Sequence, residues 1–356
     1  MDPTVKPPGF FMAKDNISRY HRQYLFNKIG EAGQHRLLKS RVAVIGCGAL
    51  GTVLVNTLGR AGVGFIRIVD RDFIEFNNLQ RQVLFDEEDI KENLPKAIAA
   101  ERKIKKINSE IQVEAIVSDV NFTNIERFIQ DVDLVLDGTD NFETRFLLND
   151  TCVKLGKPWV YGAVIGSHGL TMTIIPGETP CLRCVFESAP PPELTPTCDT
   201  AGIIAPASMV IASLEATEAI KFLTGNKQDL NHTLYSYDVW TRQAQSFKLE
   251  GLRDTTDCPT CKRRNFEFLT GEQAPKTTSL CGRNAVQITR SDQVKLDFKE
   301  LAHRFEKVGE VKFNPFMFQA KIDGYEFTIF PDGRAIIKGT NDPAQAKTIY
   351  SKYVGV

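Results

Sequence analysis

The stretch from Ser40 to Arg81 constrains the fold more than any other part of the 356-residue chain. Residues 41–46 form a short apolar, β-branched run that is typical of a buried parallel strand. A turn with three glycines follows, and then a helical pattern to Ala61 and a second strand that ends at Asp70. The glycines are Gly46, Gly48 and Gly51. They allow a tight turn, close approach of phosphate and close packing of helix on strand, and Asp70 can hold ribose hydroxyls. This order predicts a nucleotide site.

A run of polar residues after Asp70 indicates which kind of nucleotide binds. Asp72 comes first, and amides and one cation follow it at Asn77, Asn78, Gln80, Arg81 and Gln82. A dinucleotide such as NAD needs no such concentration of donors. A triphosphate does, because its negative charge must be met by fixed donors and cations. The sequence therefore predicts a triphosphate site.

Two more patterns add candidate residues to this site. Lys96 follows Pro95 at the start of a predicted helix, where a cation opposes the helix dipole. A nearby phosphate would explain that position, and an exposed charge is the alternative. A buried strand, residues 134–137, ends in Asp137-Gly-Thr-Asp140. Acids at the carboxyl end of a parallel strand lie where open α/β sheets bind their ligands.

Four of the eight cysteines form two C-x-x-C pairs, Cys181 with Cys184 and Cys258 with Cys261. Each pair offers two thiolates, so the two pairs together predict a closed tetrahedral zinc site with a structural role. Thiols in this arrangement suit a reducing compartment better than disulfides do. No signal peptide and no transmembrane run is recognised, so we expect a cytoplasmic protein.

Composition restricts the partners. Lys+Arg and Asp+Glu are equal at 44 each, so no global charge points to nucleic acid or to an anionic membrane. The five histidines lie outside any motif that looks catalytic, and His168, in a predicted hairpin turn, is expected to be structural.

The predicted fold is a doubly wound, Rossmann-like α/β domain over residues 1–264, with a mixed and mainly parallel sheet. Residues 158–175 read as an antiparallel pair of strands, and Tyr235 to Leu249 as one extended strand. The helix at 204–224 is apolar nearly all round, which suggests a subunit interface as well as core. Residues 265–283 are predicted to be a linker and residues 284–356 a small α+β module of unknown role.

The motifs resemble, in order, those of the ThiF/MoeB family, the bacterial relatives of ubiquitin-activating enzymes. The match runs from Arg19-Tyr-x-Arg22-Gln23 through the glycine turn, Asp70-x-Asp72, Asn78-Leu-Gln-Arg81-Gln82, Pro95-Lys96 and Asp137-x-Thr-Asp140-Asn141 to the split cysteine pairs. The resemblance implies ATP-dependent adenylation of the C-terminal glycine of a small ubiquitin-like sulfur carrier with a Gly-Gly tail, in thiamin or molybdopterin biosynthesis. It also implies a homodimer and a sulfur donor, a cysteine desulfurase or a rhodanese.

The resemblance assigns roles to individual residues. Asp70 would bind ribose, with Asp72 beside it. Asn78, Arg81 and Lys96 would bind the phosphates, and Asp140 would hold magnesium. Arg22 would reach into the partner subunit's site. Cys198, after a proline-rich loop, would bond covalently to the activated carrier, or else is an incidental surface cysteine. Cys281 has no assigned role.

Three other functions remain open from the sequence. A nicotinamide-dependent dehydrogenase explains the stretch from Gly46 to Asp70 and nothing after it. A regulatory relative without activity would not need Arg22, Arg81, Lys96 and Asp140 together. An adenylyltransferase acting on another peptide or on RNA could use the same site.

Overall fold

A computed structural model of the chain describes residues 17–188, 198–271, 277–280, 284–288, 296–331 and 333–354. For residues 198–199 and 277–280 only the backbone is described. Cys281 and the side chain of Cys198 therefore lie outside the described part.

Eight strands form the large sheet in the order β3-β2-β1-β4-β5-β6-β7-β8. The strands are β1 (Arg41–Ile45), β2 (Phe65–Asp70), β3 (Gln112–Val117), β4 (Leu134–Asp137), β5 (Trp159–Ile165), β6 (His168–Ile174), β7 (Thr233–Asp238) and β8 (Gln243–Lys248). Neighbours from β3 to β5 are parallel, and β5 to β8 are antiparallel. This confirms the predicted mixed, mainly parallel sheet.

Helices cover both faces of this sheet, as in doubly wound folds. They are α1 (His21–Tyr24), α2 (Gly30–Lys39), α3 (Ala49–Ala61), α4 (Glu87–Lys91), α5 (Lys96–Ile107), α6 (Ile125–Ile129), α7 (Phe142–Leu155), α8 (Leu182–Val185), α9 (Cys198–Ala201), α10 (Ala205–Leu223) and α11 (Leu252–Thr255). One apolar core joins the sheet to α2, α3, α5 and α10, and a second joins it to α6, α7 and α8.

The segment from Tyr235 to Leu249 is a hairpin, so the prediction of one extended strand was wrong. Its turn has no glycine; Arg242 instead takes a left-handed backbone with φ of 60°. The carboxylate of Asp238 accepts hydrogen bonds from the amides of Trp240 and Thr241, which closes the turn. A side-chain turn of this kind leaves a weaker sequence signal than glycine or proline does.

A second sheet lies in the C-terminal part, in the order β11-β12-β13-β14-β10-β9, with every pairing antiparallel. Its strands are β9 (Thr277–Leu280), β10 (Ala285–Ile288), β11 (Glu310–Phe313), β12 (Phe318–Ile322), β13 (Tyr325–Ile329) and β14 (Ala335–Lys338). Helices α12 (Phe298–Phe305) and α13 (Pro343–Tyr353) pack on it around a third apolar core. The separate α+β module is therefore as predicted, while its first strand, β9, lies in the segment assigned to the linker.

Within the described part of the chain, none of the helices combines the length and the apolar character needed to cross a lipid bilayer.

Candidate active site

The glycine turn between β1 and α3 is built by close backbone packing. Gly46 has φ of 88°, and a Cβ there would lie 2.5 Å from the carbonyl oxygen of Gly138, at the end of β4. A Cβ on Gly51 would lie 2.0 Å from the carbonyl oxygen of Gly46. A Cβ on Gly48, by contrast, would have no heavy atom closer than 4.0 Å. The turn therefore leaves open space at the N-terminus of α3, where backbone amides favour anions.

Two acids at the end of β2 lie beside this turn. One carboxylate oxygen of Asp70 accepts a hydrogen bond from the amide of Cys47 at 2.6 Å, and the other from the amide of Asp72 at 2.7 Å. Each oxygen keeps a lone pair for a further donor such as a ribose hydroxyl. Asp72 in turn lies 3.2 Å from the ammonium of Lys96, whose backbone amide donates to the carbonyl of Asp72.

Lys96 is the central cation of the site. It begins α5, and its side chain is only 7% exposed. Burial by itself favours the neutral amine, but the carboxylates of Asp72, Asp70 and Asp140 outweigh it and raise the pKa of Lys96. The lysine therefore stays charged, and the alternative of an exposed surface cation was wrong.

Arg71 lies between the two acids in sequence and makes a further ion pair. Its guanidinium is 2.8 Å from Asp119, after β3, and 3.7 Å from Asp72. Asp140 also acts on Arg71 and Lys96 through its charge. The acids around the two cations include Asp70, Asp72, Asp119 and Asp140, and Glu143 also faces Arg71, so carboxylates outnumber these cations.

The two acids after β4 have different roles. Asp137 is fully buried and accepts hydrogen bonds from Thr139 and, at 3.0 Å, from Arg145 on α7. Burial raises the pKa of Asp137, although Arg145 and Thr139 oppose this. Asp140 is exposed, and among the described residues its carboxylate has no hydrogen-bond or ion-pair partner. Asp137 shapes the loop, and Asp140 is available for a ligand.

Asn78 and Arg81 form a second polar group, joined through Asn77. Asn78 is buried and donates to the side chain of Asn77 at 2.8 Å. Arg81 is half-buried and donates to the carbonyl of Asn77 at 2.7 Å, and no carboxylate within the described ranges pairs with it. Gln82 is buried with its side-chain nitrogen next to Gly48, and its side-chain carbonyl oxygen has no hydrogen-bond partner in the part of the chain that the structure describes.

Arg22 lies away from this cluster, on α1. Its side chain is exposed, and the described part of the chain offers it no carboxylate partner. The side chain of the neighbouring Gln23 donates a hydrogen bond at 2.8 Å to the carbonyl of Ala61, and Ala61 is the last residue of α3. Gly48 caps the other end of α3, and 13 helical residues span about 20 Å. Arg22 is therefore anchored near the end of α3 that is remote from the glycine turn.

The four cysteines come together. Cys181 and Cys258 are 3.5 Å apart between sulfurs, Cys184 and Cys261 are 3.4 Å apart, and Cys181 and Cys184 are 3.8 Å apart. All four sulfurs lie within 4.8 Å of one another. Four thiolates at about 2.3 Å from one zinc ion have sulfurs about 3.8 Å apart, so the cluster fits a tetrahedral metal ion.

Sequence reasoning missed three residues that the structure places at the site. The sequence did contain a signal for Arg71, because a cation between two acids suggests an ion pair. Arg145 is a buried arginine on α7, and its acid partner, Asp137, lies eight positions earlier. Glu215 lies on α10, the helix expected to be apolar nearly all round; it is fully buried, and neither of its carboxylate oxygens has a hydrogen-bond partner among the described residues.

The comparison with protein families fits this geometry. The model of the ThiF family matches residues 20–260, which include the glycine turn, the acid–lysine cluster and three of the four clustered cysteines; the fourth, Cys261, is the next residue of the chain. The chain belongs to the ThiF family.

Named relatives and solved structures refine the assignment. The sulfur carrier protein ThiS adenylyltransferase of Bacillus subtilis is 45% identical over 338 residues, which cover 95% of this chain and 99% of the relative. The sulfur carrier protein adenylyltransferase of Thermus thermophilus is 38% identical and covers 70% of this chain and 92% of its own length. The crystal structure of E. coli MccB with ATP is 25% identical, with a TM-score of 0.59, and covers 70% of this chain and 76% of that one.

These ThiF relatives decide the enzyme class. The chain is an adenylyltransferase that uses ATP, and the dehydrogenase alternative is no longer needed. The Bacillus relative must share most of the C-terminal module, because its alignment leaves out only 5% of this chain. The family model, in contrast, ends before the module begins.

Proposed function

We propose that the protein adenylates the C-terminal glycine carboxylate of a small ubiquitin-like sulfur carrier of the ThiS type, whose tail ends in Gly-Gly. A carrier carboxylate oxygen attacks the α-phosphorus of ATP, the bond to the bridging oxygen breaks, and pyrophosphate leaves. The carboxylate is already ionised at neutral pH, so the reaction needs no general base. The observation that carries the proposal is the buried Lys96 among Asp70, Asp72 and Asp140, next to the open glycine turn.

The residues divide the work by position. Asp70 binds the ribose hydroxyls with the lone pairs that its two backbone hydrogen bonds leave free. Asn78, Arg81 and Lys96 bind the phosphates and hold the negative charge that moves onto pyrophosphate in the transition state. Gln82 can add its amide next to Gly48.

Magnesium suits the acids of this site. The excess of carboxylates around Lys96 and Arg71 would repel a triphosphate, unless a divalent cation entered with it. Asp140 would hold the ion, since it is exposed and has no partner in the described part of the chain. Magnesium held there would neutralise phosphate charge and polarise the phosphorus–oxygen bonds.

The position of Arg22 supports a homodimer that shares its sites. Because α1 is anchored at the remote end of α3, an arginine side chain on it cannot reach its own glycine turn. Its exposed guanidinium is free to enter the site of a second copy.

Zinc at the four cysteines would tie α8 to the segment before residue 262. We expect one zinc per chain by metal analysis. Cys258→Ser should lose the metal, while Cys152→Ala should keep it, since Cys152 is buried elsewhere in the core. Metal-free wild-type protein with reduced thiols would contradict the assignment.

Cys198 is proposed to accept the activated carrier. Its thiolate would displace AMP from the carrier adenylate and form a thioester. If a cysteine desulfurase or a rhodanese first converted Cys198 to a persulfide, the terminal sulfur would displace AMP instead and form an acyl disulfide. Cys198→Ala should keep pyrophosphate exchange and lose any carrier adduct on a non-reducing gel. If the adduct persists, Cys281 is the next thiol to test.

Pyrophosphate exchange into ATP tests the proposed reaction. Exchange should require a purified ThiS-type carrier and stop when the Gly-Gly tail is removed, and the mass of the carrier should rise by one AMP. The same assay with an unrelated peptide that has a free carboxylate is the control. Exchange that is equally fast with that peptide would sink the carrier specificity.

A further inference from the structure

The C-terminal module lies against the loop that joins the ribose acid to the phosphate-binding helix. The guanidinium of Arg334, before β14, donates to the carbonyl oxygen of Arg71 at 3.2 Å. The same guanidinium stacks at 3.5 Å over the ring of Phe330, and Phe330 packs against Phe73 with ring centres 5.8 Å apart. Arg334 is only 2% exposed, so this contact is enclosed. The module therefore contacts the residues that directly flank Asp72.

A polar chain continues from the module into the site. Gln287, on β10, donates its side-chain amide to one oxygen of Asp119 at 2.8 Å. The other oxygen of Asp119 pairs with Arg71 at 2.8 Å. Arg71 then approaches Asp72 at 3.7 Å, and Asp72 pairs with Lys96 at 3.2 Å. Each link fixes the orientation of the next, so the chain joins β10 to the catalytic lysine.

The loop itself is attached to the start of α5. Phe73 forms an isolated antiparallel bridge with Pro95, and the amide of Lys96 donates to the carbonyl of Asp72. A displacement of the loop must therefore move the start of α5. Side-chain and backbone contacts both transmit the position of the module to Lys96.

We propose that the module positions the adenylation site, with Gln287 and Arg334 as positioning residues that hold Arg71, Asp72 and Lys96 in the orientation that ATP requires. The inference rests on the proposed function, in which Lys96 binds the phosphates. It gives the module a role in nucleotide binding, although it lies outside the residues that the family model matches.

Single substitutions on the module separate positioning from simple docking. Gln287→Met removes the donor to Asp119 with little change in volume. Since hydrogen bonds to charged groups are the stronger ones, we expect kcat/KM for ATP to fall about ten-fold. KM for the carrier should not change. Lys338→Met is the matched control, because it also removes a contact between module and domain, the exposed pair with Glu75 at 3.5 Å. The control should stay within about two-fold of wild type.

A double-mutant cycle identifies the path. Asp119→Asn should lower kcat/KM for ATP at least as much as Gln287→Met, and the double variant should lose no more than Asp119→Asn alone. Fully multiplicative losses would overturn the proposed chain, and so would equal values for Gln287→Met and Lys338→Met.

A pH profile gives a readout that a merely structural role would not move. Gln287→Glu places a second carboxylate against Asp119, which also faces Arg71 and Glu143. One proton shared between the two acids restores the hydrogen bond, so activity relative to wild type should rise as the pH falls from about 8 to about 6. A flat ratio would count against the chain.

ATP affinity measured by calorimetry without carrier keeps this proposal separate from the carrier proposal. We expect Gln287→Met to bind ATP more weakly than Lys338→Met does. If exchange fails in wild type, the carrier proposal fails, and equal ATP affinities of these two variants would still overturn positioning.

Discussion

At the scale of single residues, the site depends on buried charges that are each given a partner. Lys96 has three carboxylates around it, and Asp137 has Arg145. A buried ion without a partner destabilises the folded state by several kcal/mol. Removing one member of such a set therefore leaves the remaining charges buried and unpaired. Substitutions here should therefore change activity and stability together, and controls must separate the two.

The Lys96→Met substitution tests whether the ammonium of Lys96 binds the phosphates. Without the ammonium, the transition state for pyrophosphate release should lose ~2–4 kcal/mol, which pyrophosphate exchange measures directly. Lys106→Met is the control, because Lys106 is exposed on the same helix. Equal exchange rates for the two variants would remove Lys96 from the phosphate site.

Glu215 should make stability depend on pH. Burial raises the pKa of Glu215 well above its ordinary value, with a smaller contribution from the charge of Asp137, and no described residue forms a hydrogen bond with its carboxylate. The folded state then keeps a proton that the unfolded state releases, so the free energy of unfolding falls as the pH rises from the ordinary glutamate pKa through the raised one.

Glu215→Gln removes that ionisation and keeps the side-chain volume over Gly162. Its melting temperature should exceed that of wild type at about pH 8 and match it at about pH 5. Glu218→Gln should instead lose stability, since Glu218 pairs with Lys221 and Thr173. A constant difference between Glu215→Gln and wild type across this range would show that Glu215 does not ionise.

At the scale of secondary-structure elements, the sequence predicted what regular patterns encode. The β1 to β2 unit, the acid at its end and the antiparallel return at β6 all follow from apolar periodicity and glycine positions. The turns of the hairpins were harder to predict from the sequence. The turn after Phe313 is closed by the side chain of Asn314, which accepts hydrogen bonds from the amides of Phe316 and Met317. A side-chain turn of this kind contains neither glycine nor the regular apolar period that marks an element.

The glycine turn should respond differently at its second and third glycines. Gly51→Ala brings a Cβ against the backbone of Gly46, so we expect a large fall in melting temperature. Gly48→Ala meets no heavy atom within 3.4 Å, so the fold should survive. Its methyl group would occupy the space where phosphate approaches, and calorimetry should show weakened ATP binding. Unchanged ATP affinity in Gly48→Ala would show that the phosphates do not bind at this turn.

At the scale of the whole molecule, the site joins parts that are far apart in sequence. Gln287 meets Asp119 across 168 positions, and Arg334 meets Arg71 across 263. Local periodicity carries no information about such pairs, so the sequence could predict the module but not where it docks. The four cysteines were predictable, because their spacing itself reflects the chemistry of a metal ion.

Mixed dimers test whether Arg22 acts across subunits. Arg22→Ala mixed with Asp140→Ala should recover exchange, because one site of the mixed dimer would contain both intact residues. Arg81→Ala mixed with Asp140→Ala should not recover, since both residues serve the same subunit's site. Equal recovery in the two mixtures, or none in the first, would contradict an arginine supplied by the partner.

The way in which the module docks affects how well its interface can be detected from the evolution of the sequence. Arg334 and Asn314 bind the carbonyl oxygens of Arg71 and Asn93, which every amino acid presents. Such contacts survive evolutionary drift in the residues that they hold and leave no pairwise covariation between aligned positions. Of the polar contacts described, only Gln287 with Asp119 and Lys338 with Glu75 join two side chains. A search for coevolving positions would therefore detect only a small fraction of the contacts in this interface.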